Sequence, residues 1–255
     1  LAASATFAVL APAFLGLLAL SANRRRRGLA AQRLTAWILV AAAIVAAAAA
    51  LALIGTAAHL AAGLAGMALG FVIFNTRSPN ALWRGAGVWA MSLAACAALS
   101  ALAVGWPAPA TLAFALAAPT VASALAARFS RNQQGVAAIY ESFAIAGAAL
   151  LVAGLIRLAF SGGAPNLSQL SFVEAGAHVA ALLGLSLATA ARERGSACTV
   201  RTYAAGALAG AALAAAMLIS VLWLTPWWSE RANPGPALLG HAPLGFAMPA
   251  TLAWA

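Results

Sequence analysis

The chain has 255 residues, of which 65% are hydrophobic and 7% are charged, against about 25% charged in an ordinary soluble domain. Mean hydropathy is +0.97. A soluble fold of this size needs a charged shell that this composition does not supply, so the sequence reads as an integral membrane protein. Disulfide-stapled, disordered and nucleic-acid-binding classes are excluded.

All 14 basic residues are Arg, and the acids are Glu141, Glu174, Glu193 and Glu230, with no Lys and no Asp. A pI near 11.7 suggests nucleic acid when it belongs to a soluble domain. Here the arginines fall in short gaps between apolar runs, where membrane topology explains them better. Alanine accounts for 78 residues and is nearly neutral for insertion, so Leu, Ile, Val and Phe must drive it.

A spanning helix needs about 20 apolar residues. Nine runs qualify: 4–21, 34–54, 57–74, 85–104, 110–127, 136–156, 170–190, 203–224 and 238–255. The first has no basic residues before it, and Arg24, Arg25, Arg26 and Arg27 follow it directly. That order describes a span ending in the cytoplasm rather than a signal peptide, and the four arginines form a stop-transfer run suited to anionic lipid. Residues 34–74 are almost continuously apolar. As one helix they would extend about 60 Å, twice the hydrocarbon thickness, so a tight turn is required at Gly55–Thr56. Gly63, Gly66 and Gly70 line one helix, with Gly66 and Gly70, like Gly206 and Gly210, in GxxxG spacing, which predicts close packing between helices of the chain. Pro12, Pro119 and Pro249 lie inside apolar runs and predict kinks. Cys96 falls in mid-span and Cys198 in a basic loop, too far apart for a disulfide.

The gaps test this division. Those after odd-numbered runs hold 12 arginines and those after even-numbered runs hold two, Arg157 and Arg231. Strict alternation of this kind obeys the positive-inside rule and puts the Leu1 end outside. Trp106, Trp227 and Trp228 sit in the opposite gaps, as interfacial anchors do. Arg157, just past a run, is expected to snorkel outward.

Ionisable groups within a span are costly and point to function. Glu174 and His178 are four residues apart in the seventh run and share a helix face. His59 and His241 begin the third and ninth runs, so the topology puts all three histidines in the outer half of the bilayer. Glu174 and His178 are therefore the candidate catalytic or proton-relay pair. The plainer alternative is that Glu174 pairs with Arg157 or Arg231 at the boundary while His59 and His241 face water. His59, His178 and His241 are weak metal candidates: the order Glu-x-x-x-His does not match HExxH, and no CxxCH occurs. No cofactor is expected. Glu141 and Tyr140 open the sixth run, with Glu141 within reach of Arg128 or Arg131; Glu193, between Arg192 and Arg194, is a solvated loop charge. There is no P-loop, no GxSxG and no acidic metal motif, which argues against an autonomous enzyme.

Two stretches carry a resemblance. Leu170–Ala190, with one Glu just inside an apolar helix, and Asn233-Pro234 followed by Leu238–Trp254 resemble segments of the large bacterial membrane proteins catalogued as domain of unknown function 2339. That family has no established activity, so the resemblance implies no catalytic residues. It implies a longer chain with further spans.

The expected fold is all-α, a polytopic bundle of about nine spans in a bacterial inner membrane. Residues 1–255 read as a single transmembrane domain and a fragment, with no soluble domain. The expected partners are the bilayer and other membrane helices, not nucleic acid. A structural or envelope-associated role comes first. A transporter or flippase-like module built on Glu174 and His178 comes second, and a membrane-embedded transferase acting on a lipid-linked substrate third.

Overall fold

In hydrocarbon an isolated apolar segment satisfies its backbone only by coiling into a helix. The computed structural model describes residues 30–103, 109–161, 171–193, 199–217 and 248–254, and among these every regular element is helical, with no strand. The helices are α1 (Ala30–Ile54), α2 (Ala57–Arg77), α3 (Ala81–Ala103), α4 (Pro109–Phe129), α5 (Gln134–Ser161), α6 (Phe172–Glu193), α7 (Thr199–Ala215) and α8 (Met248–Trp254). The first six are long and apolar enough to cross a membrane, so this is an all-helical, multi-pass membrane protein. The described parts of α7 and α8 are 17 and 7 residues long. The first apolar run, the Arg24–Arg27 run, Trp106, the Asn233-Pro234 stretch and His241 lie outside the described residues.

The turn demanded at Gly55–Thr56 is present. Gly55 N–H closes α1 on the Leu51 carbonyl at 3.0 Å, and Thr56 opens α2. Gly63 then lets the hairpin close, because a Cβ there would run into the Leu51 side chain.

The chain divides into two compact units, Leu1–Gly147 and Ala148–Ala255. In the first, α2 packs on α3 and α4, and α1 lies against α2 and α3. Alanines at the contacts (Ala65, Ala68, Ala86, Ala90 and Ala94 are almost wholly buried) bring the backbones close, and Ile44, Leu64, Met91 and Tyr140 fill the space between. Trp83 stacks on Phe71 and Phe74 with ring centroids 5.9 and 5.8 Å away. At the ends of these helices the Asn75 amide donates to Gln133 Oε1 at 3.2 Å and accepts from the Asn80 N–H at 3.0 Å. Asn80 Oδ1 accepts from Leu82 N–H at 3.1 Å, which caps α3.

In the second unit α6 packs on α7 and α8. Val179 and Leu183 of α6 and Ala212 of α7 form the core, with Leu252 of α8 against it. The Ser186 hydroxyl donates to the Ala205 carbonyl at 2.8 Å, tying α6 to α7. Arg201 Nη1 donates to the Arg192 carbonyl at 3.1 Å near the end of α6.

One expectation about packing changes. Gly66, Gly70, Gly206 and Gly210 have nothing within 4 Å of an added Cβ, so the GxxxG pairs are not helix contacts among the described residues. Of the three glycines lining α2, Gly63 does admit a neighbouring helix; Gly85, Gly87 and Gly147 do the same elsewhere. In an alanine-rich chain the spacing recurs without marking a seam. Pro119 lies inside a continuous α4. The Thr120 hydroxyl beside it donates to the Leu116 carbonyl at 2.7 Å, the back-bond that threonines make inside helices.

Candidate functional site

Helix α6 starts at Phe172, directly after Ser171. The Ser171 Oγ accepts from the Glu174 N–H at 3.1 Å, and its carbonyl accepts from the Ala175 N–H at 3.0 Å. Ser171 is therefore an N-cap and Glu174 occupies the third helical position, the spacing of a capping box. A carboxylate in a first turn also faces the positive end of the helix dipole.

The Glu174 side chain turns to α5. Arg157 Nη1 donates to Glu174 Oε1 at 2.7 Å, and the two side chains are 7% and 1% exposed. Arg157 lies one turn before the C-terminal end of α5 at Ser161. The expected outward snorkelling of Arg157 is corrected. The helix continues to Ser161, so Arg157 is inside it, and the guanidinium finds a carboxylate within reach in place of headgroup water. The Arg157 pairing foreseen for Glu174 is present, and Arg231, the other partner foreseen, lies outside the described residues.

His178 is one turn further along α6. Its Nε2 is 3.8 Å from Glu174 Oε1, and its side chain is 25% exposed. That distance exceeds a hydrogen bond. A charge alone in hydrocarbon costs about 2.5–3.5 kcal/mol on insertion scales. The Arg157–Glu174 pair cancels its own charge, and His178 gains its position beside the pair from the helical repeat alone.

His59 does different work. It belongs to the first unit and caps α2: its Nδ1 accepts from the Thr56 N–H at 3.3 Å and lies 3.0 Å from Thr56 Oγ1. Its ring tilts against Phe114 at 5.9 Å between centroids. Among the described residues no three His, Cys, Asp or Glu side chains gather into a metal-sized group. Cys96 is an exposed free thiol.

Some buried polar residues escape a reading based on charge. Asn75 is buried in the amide network described above, and Tyr140 is fully buried with no hydrogen-bond partner for its hydroxyl among the described residues. The phenol oxygen fills the notch that Gly87 leaves on α3, where any Cβ would collide with it. The Ser171-x-x-Glu174 spacing was the available signal for the cap and for where α6 begins. Nothing local marks Tyr140, because its partner surface comes from α2 and α3.

Comparison of the chain with family models, with curated proteins and with solved structures finds no match.

Proposed function

We propose that the chain is a structural, envelope-associated module of a bacterial inner membrane, with its Arg-rich loops in the cytoplasm and the Leu1 end outside. The likeness to the bacterial membrane-protein family named above belongs to the same reading, as does the division into about nine spans. The observation that carries the structural role is the closed Arg157–Glu174 contact. A carboxylate that carries protons or binds a passing ligand must exchange with water, whereas Glu174 is 1% exposed and already accepts a hydrogen bond from an arginine 2.7 Å away. The transferase reading pairs His178 with an orienting carboxylate, and the two stand 3.8 Å apart, beyond a hydrogen bond.

The transporter or flippase-like reading has one observation in its favour. His178 is a quarter exposed and stands beside Glu174, as a proton relay would. Purified protein in vesicles loaded with a pH-sensitive dye separates the two. The structural reading predicts proton uptake equal to that of empty vesicles, for the native chain and for Glu174→Gln alike. Uptake above that level, abolished by Glu174→Gln and slowed by His178→Ala, would establish the transport reading instead.

A further inference from the structure

The first unit has a shallow cavity of about 420 Å³ lined by Trp37 of α1, Arg84, Val88, Trp89 and Ser92 of α3, and Val136 of α5. Its volume is in the range of small-molecule sites, roughly 300–1,000 Å³. We propose that this groove holds an anionic phospholipid of the bilayer, with the headgroup phosphate on Arg84 and an acyl chain running along Val88 and Trp89 towards Ser92.

Four features lead to this occupant. First, the groove is amphipathic along its length. Arg84 is in the first turn of α3 and Ser92 is eight residues further, which is about 12 Å deeper at 1.5 Å per residue. That is the direction in which a lipid passes from phosphate to hydrocarbon. Second, Arg84 is exposed and its side chain has no hydrogen bond or ion pair to any described residue. A guanidinium at the rim of a bilayer offers a planar fork that fits a phosphate. Third, the deep end offers no competing donor, because the Ser92 hydroxyl donates to the Val88 carbonyl of its own helix at 3.0 Å. The walls there are apolar. Fourth, the groove is built into the packing of α1 on α3. Gly85 takes the edge of the Trp37 indole where a Cβ would collide with it. Trp37 and Trp89 both keep more than two fifths of their surface exposed, as tryptophans at a membrane interface do. The Arg157–Glu174 pair has no part in this site, and the proposal stands whatever that pair does.

Native mass spectrometry of the full chain in detergent, titrated with phosphatidylglycerol or phosphatidylcholine, tests the proposal. The native chain should retain one phosphatidylglycerol in preference to phosphatidylcholine. Arg84→Gln should weaken that retention by roughly tenfold or more, the size expected for one charge-assisted hydrogen bond, and Arg84→Lys should restore part of it. Arg77→Gln, which removes a nearby arginine outside the groove, should leave it unchanged. Val88→Trp, which fills the groove and keeps Arg84, should also lose the lipid. Equal retention of the two lipids, equal retention by the native chain and Arg84→Gln, or undiminished binding by Val88→Trp would each overturn the proposal. A lipid-free species with twice the chain's mass would assign the groove to a second copy and overturn it too.

Discussion

The two units bury polar groups in different ways. In the first, α2, α3 and α4 close on one another through alanines, and the polar groups they enclose are neutral: the Asn75 amide, the Ser123 hydroxyl and the Tyr140 phenol. In the second, the helix that begins at Phe172 buries a full ion pair at its first turn. Small-residue packing supplies its attraction through many weak contacts and needs no charge. A buried pair is different. It adds little net stability against an apolar replacement, but it makes each partner indispensable to the other. The first unit should therefore respond to changes of volume, and the second to changes of charge.

The largest expected effect tests that contrast. Arg157→Leu leaves Glu174 buried and unpaired, and should destabilise the chain by about 3–5 kcal/mol, measured by unfolding in lipid nanodiscs. Gly87→Ala drives a methyl into the Tyr140 oxygen and should cost about 1–3 kcal/mol as overpacking. Adding Tyr140→Phe should recover much of that loss by removing the oxygen. Asn75→Ala breaks two hydrogen bonds and should cost roughly 1–2 kcal/mol at about 1 kcal/mol each. Tyr140→Phe alone should stabilise by about 1 kcal/mol, since it deletes a buried hydroxyl that has no partner among the described residues. His178→Ala should change stability by less than about 0.5 kcal/mol. A large loss there would make the histidine part of the pair and weaken the contrast.

Much of this architecture was legible in the sequence. The runs 34–54, 57–74, 85–104, 110–127, 136–156 and 170–190 correspond to α1 to α6, with the ends extended or shortened by a few residues. Hydropathy locates helices well because length and apolarity are what the bilayer demands. The break at Gly55–Thr56 followed from the same length argument. The Glu174–His178 spacing and an Arg157 partner were also readable, since four residues make one helix turn and the gaps after even-numbered runs hold only two arginines. What escaped was which small residues touch. GxxxG spacing does not say which face a helix turns inward, so Gly66 and Gly70 stay open while Gly87 receives Tyr140. The Tyr140 notch and the Arg84 groove join residues from helices distant in sequence, and no local pattern encodes such a meeting.

The most direct test of the structural role is a double-mutant cycle on Arg157 and Glu174, using Arg157→Leu, Glu174→Leu and the pair together, with stability measured in lipid. The account predicts that each single change costs several kcal/mol and that the double variant recovers most of the loss. Single changes without effect, or losses that simply add, would contradict it.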